Sequence, residues 1–140
     1  VTNEADKNIS KTKTKFLIND DSAKSIETAS NNLKAIDMLE NTSVLNTDFK
    51  DEKVSSEPGT IIINPPYGER MEKDDIAAFY KSIGDKLKQD FTGSKAWILS
   101  ANRKALKQVG LKPSKKLTLF NGSLECGYYK YELYKGSKKK

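Results

Sequence analysis

The segment Asn64-Pro65-Pro66-Tyr67 combines residue types that suit chemistry on a weakly nucleophilic nitrogen. An exocyclic amine on a nucleobase is a poor nucleophile because its lone pair is delocalised into the ring. The Asn64 side-chain oxygen can accept one N–H of such an amine, and a backbone carbonyl, that of Pro65 by preference, can accept the other. These contacts strengthen as charge develops on the nitrogen in the transition state. The pair of acceptors therefore predicts a catalytic site that modifies an amine.

The residues that follow Asn64 suit the same task. Both prolines fix their φ angle and lack a backbone N–H, so the carbonyl acceptor stays in place. The Tyr67 ring offers a face on which a base can stack, a contact worth about 1–3 kcal/mol in nucleic-acid complexes. The alternative interpretation is a strand that simply leads into a rigid proline turn.

Two carboxylates follow other predicted strands. Asp20 ends the segment KFLIND, and Asp48 ends the segment SVLNTD with Phe49 beside it. Ligands of open α/β sheets bind beyond the carboxyl ends of the strands. One carboxylate there can accept two hydrogen bonds from ribose hydroxyls, and the second can take an adenine amino group while Phe49 covers the ring. Each aspartate can instead cap a helix or form a turn.

Composition limits the remaining possibilities. The 140 residues contain no histidine, which excludes His-based triads, His general bases and His metal ligands. The net charge of +6, with a basic tail at 135–140, favours a nucleic-acid partner through phosphate attraction, although the tail alone can serve solubility.

The single cysteine, Cys126, excludes an internal disulfide and is expected to be a buried structural thiol. No apolar run approaches about 18 residues, so we expect a cytoplasmic protein without a membrane span or signal peptide.

Apolar periodicity and turn residues predict the elements that position these groups. Residues 1–14 lack periodicity and are expected to form a mobile lead-in. The predicted order is strand 15–20, helix 22–39, strand 43–48, loop 52–59, strand 60–64, helix 74–89, strand 95–101, a short helix ended by Gly110, and a hairpin around Asn121-Gly122. The apolar run 61–63 is typical of a parallel strand buried on both faces. This alternation predicts a mostly parallel, doubly wound α/β sheet closed by an antiparallel hairpin.

These motifs resemble a known family. The tetrapeptide NPPY after an apolar strand resembles the motif of class I S-adenosylmethionine-dependent methyltransferases that modify exocyclic or amide nitrogens. The longer NPPYGERM is similar to the subgroup that methylates N2 of guanine in 23S ribosomal RNA and often carries an upstream THUMP RNA-binding domain. The segments INDDSAKSIETASNNLKAIDM and LTLFNGSLECGYYKYELY resemble, respectively, its second strand with the following helix and its terminal hairpin. The resemblance covers residues 15–134.

The resemblance implies a Rossmann-like methyltransferase fold, S-adenosylmethionine as the cofactor, ribosomal RNA as the partner and no metal. The roles it implies are catalysis by Asn64, Pro65, Pro66 and Tyr67, cofactor ribose binding by Asp20, and adenine contact by Asp48 and Phe49. Apart from the resemblance, Arg70 directly follows the motif and can bind a phosphate of the RNA. Arg70 can alternatively anchor its loop through Glu69.

One feature departs from the family pattern. Such methyltransferases need a first strand followed by an acidic, glycine-rich turn, and neither a glycine nor an apolar strand precedes Lys15. We therefore expect residues 15–134 to be the C-terminal part of a methyltransferase domain, which by itself binds the cofactor poorly and has little activity. The tetrapeptide also suits adenine-N6 or glutamine-N5 methylation, whereas the GER extension and the hairpin favour guanine. A non-catalytic basic RNA-binding module and a structural interaction domain are the remaining hypotheses.

Overall fold

A computed structural model describes residues 13–53 and 57–136 of the chain. Nearly all of the predicted lead-in and most of the predicted basic tail therefore lie outside the described residues. The chain divides into two compact units, Val1–Glu52 and Lys53–Lys140, and each is described by itself. Within the described part of the chain, no helix is long and apolar enough to cross a membrane.

The first unit, as far as it is described, contains a parallel pair of strands joined by a helix. Strand β1 (Phe16–Asn19), helix α1 (Ala23–Ala35) and strand β2 (Thr42–Leu45) follow one another along the chain. β1 pairs with β2 in parallel over the full length of both strands. The predicted order of strand, helix and strand is confirmed, and the carboxyl ends of both strands lie at one edge of the pair.

Local conformation sets the limits of α1. The Ser22 hydroxyl oxygen accepts a hydrogen bond from the Ser25 backbone N–H at 3.3 Å, which caps the helix at its predicted start. The apolar pattern predicts a helix to about Leu39, but α1 ends at Ala35. The chain turns away because Asp37 adopts a left-handed conformation with φ 58°, which ends a helix as a C-terminal glycine does.

The second unit forms, within the described residues, a four-stranded mixed sheet with two helices. Its elements in chain order are β3 (Thr60–Ile63), α2 (Lys73–Asp90), β4 (Lys95–Ser100), α3 (Arg103–Lys107), β5 (Lys115–Asn121) and β6 (Leu124–Glu132). The strand order is β3-β4-β6-β5. β3 and β4 are parallel, whereas β6 is antiparallel to both β4 and β5. The antiparallel hairpin predicted at one edge of the sheet is confirmed.

The core of the second unit joins helix α2 to strand β4. Helix α2 buries Tyr80, Ile83 and Leu87, which recur at helical spacing. Strand β4 alternates, with Ile98 and Ser100 fully buried on one side. This core fixes the carboxyl end of β4, with which β3 is paired. The residues that follow β3 and β4 therefore begin from fixed positions at one edge of the sheet.

Strands β1 and β3 are less buried than their apolar runs predict. The Ile62 side chain is 69% exposed, and Phe16 and Leu17 are 42% and 49% exposed. In the described part of the chain, β3 pairs only with β4 and β1 pairs only with β2. Within the described part of the second unit, no element covers the face of β3 that carries Ile62. The prediction that the run 61–63 is buried on both faces is therefore wrong for this chain.

The hairpin turn lies one residue later than its sequence predicts. Asn121 pairs with Leu124 as the last rung of the ladder, so Gly122 and Ser123 are the central residues of the turn. Gly122 has φ 63° at the first central position, which is the type II′ pattern that matches the twist of a hairpin. The predicted Asn121-Gly122 centre is wrong by one residue. Asn121 consequently belongs to β5.

One buried hydroxyl leads to a stability prediction. Tyr131 is 1% exposed, and its hydroxyl has no hydrogen-bond partner among the described residues. An unpaired buried polar group costs about 1–3 kcal/mol, so Tyr131→Phe is expected to raise the free energy of unfolding by about 1 kcal/mol. Urea unfolding at neutral pH measures the change, with Tyr134→Phe at an exposed position as the control. A lower free energy of unfolding for Tyr131→Phe would contradict the prediction.

The same substitution tests the pH dependence of stability. Burial raises the pKa of the Tyr131 hydroxyl, so the folded chain keeps this proton at a pH where the unfolded chain loses it. Stability is therefore expected to fall as the pH rises through about 10, the ordinary pKa of tyrosine. The fall should be less steep in Tyr131→Phe.

Candidate active site

Asn64 stands at the carboxyl end of β3, as predicted. It follows Ile63 directly and its side chain is exposed, whereas the next residue, Pro65, is buried. β3 runs parallel to β4, so the carboxyl ends of both strands lie at the same edge of the sheet. The loop that begins at Asn64 therefore passes beside the residues that follow β4.

A buried tyrosine holds the second proline of the motif. The Tyr80 hydroxyl donates a hydrogen bond to the Pro66 carbonyl oxygen at 2.9 Å and lies 2.7 Å from the Ser100 hydroxyl oxygen. Because the single proton of Tyr80 is used on Pro66, Ser100 donates in the second bond. Burial raises the pKa of Tyr80, which keeps this donor protonated. The Pro66 carbonyl is thus committed to the core, whereas no described residue donates a hydrogen bond to the Pro65 carbonyl.

Asn102 joins the motif to the residues after β4. Its side-chain Nδ2 donates to the Tyr67 backbone carbonyl at 3.1 Å, while its Oδ1 accepts from the Ala105 N–H at 2.9 Å and caps α3. Its own backbone N–H bonds to the Ser100 hydroxyl oxygen at 3.0 Å. The sequence interpretation did not single out Asn102. Its position directly beyond the end of a predicted strand, like that of Asn64, is the signal that identifies it.

The Tyr67 hydroxyl lies at the centre of a hydrogen-bonded chain. It donates to Asn64 Oδ1 at 3.0 Å and accepts from Asn121 Nδ2 at 3.3 Å, and Cys126 Sγ lies 3.9 Å away. Burial raises the pKa of Tyr67, so the hydroxyl remains a neutral donor. Since Asn121 donates to Tyr67, the tyrosine proton is directed to Asn64. An amide oxygen has two lone pairs, so Asn64 Oδ1 can accept one more hydrogen bond.

Two residues of the hairpin thus reach the motif. Asn121 ends β5, and Cys126 lies in β6 with 0% of its surface exposed. The prediction that Cys126 is a buried thiol is confirmed. Both hairpin residues contact the Tyr67 hydroxyl. The sequence predicted a role only for the Tyr67 ring, as a stacking surface.

Gly68 allows the motif to turn back toward α2. Its φ of 90° lies in the region that favours glycine, and a side chain there would overlap the Ile76 side chain. The Met71 N–H then bonds to the Gly68 carbonyl at 3.2 Å. Arg70 lies exposed in this turn, and among the described residues no ion pair joins it to Glu69. The structure therefore shows no anchoring of this loop by an Arg70–Glu69 ion pair among the described residues, and the phosphate contact of Arg70 stays a prediction.

The predicted cofactor residues belong to the first unit. Asp20 follows β1 directly, and its Oδ1 accepts from the Ser22 N–H at 2.8 Å. Asp48 was expected to end a strand, but β2 ends at Leu45, and Asp48 instead caps a short 3-10 helix by accepting from the Lys50 N–H at 2.8 Å. The strand ends early because the chain bends at Thr47, whose N–H bonds to the Asn19 side-chain oxygen at 3.0 Å instead of continuing the ladder. Both carboxylates thus make the capping or turn bonds that the alternative interpretation predicted. Asp20 Oδ2 has no hydrogen-bond donor among the described residues, whereas Asp48 Oδ2 lies 4.0 Å from Lys50 Nζ.

Phe49 begins the 3-10 helix at Phe49–Asp51 and is half-buried. It lies beside Asp48, and both follow the carboxyl end of the parallel pair of strands that also presents Asp20. The structure therefore brings the three predicted cofactor residues to one end of the first unit. The motif Asn64–Tyr67 lies in the second unit.

Parallel strands joined by helices, an antiparallel terminal hairpin and the Asn64–Tyr67 motif at a strand end define the chain as part of a Rossmann-like class I methyltransferase fold. A family model described as RMKL-like, methyltransferase domain, matches residues 1–130. The chain belongs to this family.

Similar proteins agree with this assignment. A Synechocystis protein assigned as an RNA methyltransferase is 41% identical over 88 residues, which cover 62% of this chain and 23% of that protein. The ribosomal RNA large subunit methyltransferase K/L of Shewanella woodyi is 32% identical over 127 residues, which cover 90% of this chain and 18% of that protein. The chain thus spans about a fifth of the length of these relatives.

One solved structure shows the same fold. It is the crystal structure of SMU.472, a protein assigned as a methyltransferase and complexed with SAH. It superposes with a TM-score of 0.84 at 24% identity, over 96% of this chain and 36% of that chain.

Proposed function

We propose that the protein carrying this chain transfers a methyl group from S-adenosylmethionine to the exocyclic N2 amine of a guanine in ribosomal RNA. The observation that carries the proposal is the pair of available acceptors at Asn64 Oδ1 and the Pro65 carbonyl oxygen. Family membership supports the reaction, and the name of the Shewanella woodyi relative supports the substrate class.

The two acceptors orient the target amine. Asn64 Oδ1 keeps a lone pair beyond its bond from Tyr67. No described residue donates a hydrogen bond to the Pro65 carbonyl oxygen, whereas Tyr80 occupies that of Pro66. An amine whose two hydrogens bind these oxygens becomes pyramidal, and its lone pair then points away from the base. The same bonds strengthen as the nitrogen gains positive charge, so they stabilise the transition state more than the ground state.

Tyr67 supplies the surface for the base. Its hydroxyl bonds to Asn64 and Asn121, and its carbonyl bonds to Asn102. The ring is therefore held before the substrate binds, which lowers the entropic cost of placing the base. The base must leave its stack for the amine to reach Asn64, so the proposal requires an unpaired or flipped-out guanine.

The first unit fits the nucleoside part of the cofactor. Asp20 and Asp48 are exposed beyond the carboxyl ends of a parallel strand pair, and each has a carboxylate oxygen outside its local backbone bond. That oxygen of Asp48 lies 4.0 Å from Lys50 Nζ. Asp20 would hold the ribose, while Asp48 and Phe49 would contact the adenine. When bound, S-adenosylmethionine supplies an electrophilic methyl group on a sulfonium sulfur. The poor cofactor binding expected of this chain by itself stays a prediction.

The reaction is tested with the full-length protein, unmodified ribosomal RNA and S-adenosylmethionine carrying a labelled methyl group. Digestion to nucleosides and mass spectrometry are expected to give N2-methylguanosine. N6-methyladenosine would overturn the guanine assignment, because an adenine amine can engage the same two acceptors. Unlabelled RNA, together with a methylated glutamine when ribosomal proteins are added to the same assay, would overturn the RNA assignment.

The proposal also covers the RNA that is methylated, an upstream RNA-binding domain, the cellular location and the role of Arg70. We place the target in 23S ribosomal RNA, because the relative is named for the large ribosomal subunit. An RNA-binding domain of the THUMP type upstream and a cytoplasmic location complete the proposal. Arg70, exposed beside the motif, is proposed to contact a phosphate of the RNA.

Asn121 is proposed to be a positioning residue, which leads to a prediction. Asn121→Ala frees the Tyr67 proton to point away from Asn64, and we expect kcat for methylation to fall about fivefold, the value of one hydrogen bond of about 1 kcal/mol. Asn121→Asp is expected to lower kcat at least as much despite its similar shape, because a carboxylate accepts the Tyr67 proton instead of donating one.

The prediction separates positioning from a structural role. KM for RNA and the urea midpoint should stay near their wild-type values in both variants, and Ser123→Ala in the same turn serves as the control. A kcat equal to that of the wild type in Asn121→Asp would show that the direction of this hydrogen bond does not matter.

A further inference from the structure

The segment from Arg103 to Lys116 carries positive charge only. It contains six basic residues and no acidic residue. The six are Arg103, Lys104, Lys107, Lys112, Lys115 and Lys116. By contrast, the neighbouring helix α2 mixes both signs and pairs them within its own length. A run of one sign attracts a partner of the opposite sign.

This run begins at the wall of a cleft beside the motif. Arg103 and Lys104 line an open cleft of about 440 Å³ together with Tyr67, the acidic Glu69, Ala101, Asn102 and Leu124. Asn102 is the residue that binds the Tyr67 backbone carbonyl. Arg103 and Lys104 directly follow Asn102, which is bonded to Tyr67, so both cations lie next to the residue on which the target base is proposed to stack.

Helix α3 and the hairpin share the charged face. Arg103 Nη2 reaches Thr118 Oγ1 at 3.2 Å and Glu125 Oε1 at 3.6 Å. Gly127, opposite Thr118 in the ladder, has no side chain, so the Leu106 side chain of α3 packs closely there. The face of the hairpin that contains Thr118 is therefore the face on which α3 lies.

The same face carries an exposed aromatic side chain, Phe120, whose partner in the ladder is Glu125. Lys116, Thr118 and Phe120 alternate along β5, so all three point to one side of the strand. Phe120 is 68% exposed. A positively charged surface with an exposed aromatic ring is the arrangement that binds a single nucleic-acid strand, since phosphates meet the cations and a base stacks on the ring.

The lysines of α3 are available to a ligand. Lys104 and Lys107 lie one turn apart and are exposed, and neither forms an ion pair with any described residue. In α2, Lys81 bonds to Asp85 at 2.6 Å. The α3 lysines therefore keep charges that their own fold does not neutralise, and a phosphate would relieve their mutual repulsion.

We propose that Arg103, Lys104, Lys107, Lys116 and Phe120, the α3 face, bind the single-stranded RNA that flanks the target guanine. The lysines and Arg103 take its phosphates, and Phe120 stacks on a neighbouring base. The inference rests on the proposed function for the identity of the strand, and it adds residues that neither the motif nor Arg70 includes.

The salt dependence of RNA binding tests the α3 face. The 140-residue chain is titrated into a fluorescently labelled single-stranded RNA of twelve nucleotides, one guanosine among uridines, at several salt concentrations. Each phosphate contact to a single strand contributes about 0.7 to the slope of log K against log salt. Lys104→Ala/Lys107→Ala is therefore expected to reduce the slope by about 1.4 and to weaken binding about 25-fold at 0.1 M salt.

Two further variants separate specific contacts from general charge. Lys81→Ala/Lys88→Ala removes the same charge from α2 and is expected to leave the slope unchanged. Phe120→Ala is expected to weaken binding about fivefold or more at an unchanged slope, since stacking of a base is worth about 1 kcal/mol or more. Far-ultraviolet circular dichroism verifies that each variant is folded.

Equal slopes for the α3 and α2 double variants would overturn the proposal. Binding of the chain to phosphatidylserine vesicles with no salt-dependent binding to RNA would assign the face to a membrane and would also overturn it. The proposed reaction is judged separately from the methylated nucleoside. N2-methylguanosine with an unaltered RNA affinity in the α3 variant would reject this inference alone, and RNA binding through the α3 face without methylation would reject the reaction alone.

Discussion

Asn64→Ala in the full-length protein is expected to lower kcat for RNA methylation by about 10²–10³-fold, which corresponds to a loss of about 2.7–4 kcal/mol of transition-state stabilisation. The Asn64 oxygen accepts from Tyr67 and retains one lone pair for the target amine. Without it, the Pro65 carbonyl is the sole acceptor, and the amine nitrogen is free to remain conjugated with the ring. Because the contact strengthens with charge development, the loss falls on kcat rather than on binding.

The design of this experiment isolates the side chain. Asn64 is exposed, so the urea midpoint of Asn64→Ala should stay near that of the wild type. Asn31→Ala, at an exposed position on α1 in the first unit, removes the same amide outside the motif and should retain full activity. A wild-type rate for Asn64→Ala would exclude the proposed mechanism and favour a non-catalytic basic RNA-binding module.

Gly84→Ala is expected to destabilise the second unit by about 3 kcal/mol. Gly84 is buried in α2, where a Cβ atom would overlap the backbone carbonyl oxygen of Val109. Helix propensity alone favours alanine by about 1 kcal/mol, so helix propensity predicts a more stable variant, whereas packing predicts a less stable one. Packing should dominate, because the obstructing atom belongs to the backbone and cannot move by a rotamer change.

Urea unfolding measures the outcome, with Gln89→Ala at an exposed position of α2 as the control. The control should change the free energy of unfolding by less than about 0.5 kcal/mol. If Gly84→Ala instead raised the free energy of unfolding by about 1 kcal/mol, α2 and the residues after α3 would not approach as closely as the structure indicates. A shift of α3 would also move Asn102, so loss of activity should accompany the loss of stability.

Much of the fold was predictable because it depends on local patterns. Periodicity placed both long helices and all six strands of the described residues to within a few residues. The cap at Ser22 and the glycine-based hairpin turn follow from the chemistry of one or two residues. The same local logic places Asn64 beyond the last residue of β3, since an apolar run must end where two prolines begin.

The sequence-based predictions were wrong where burial, strand register or strand length depends on residues distant in the chain. The exposure of Ile62 depends on which elements cover β3, and the run of three isoleucines is the same in either case. The register that makes Gly122 and Ser123 the turn centre depends on pairing along β5 and β6. The early end of β2 leaves Asp48 as a local cap, and nothing in the segment SVLNTD distinguishes this from a longer strand.

The sequence by itself determined the elements, the class of fold and the residue types of the motif, because these follow from spacing within a few residues. Only the tertiary structure decided which acceptors remain free. Tyr80, 14 residues beyond Pro66, occupies the Pro66 carbonyl and leaves that of Pro65 available. Asn121, 54 residues beyond Tyr67, directs the Tyr67 proton to Asn64. Such bonds join residues that have no periodic relation, so only the packing of α2 and of the hairpin against the motif brings them together.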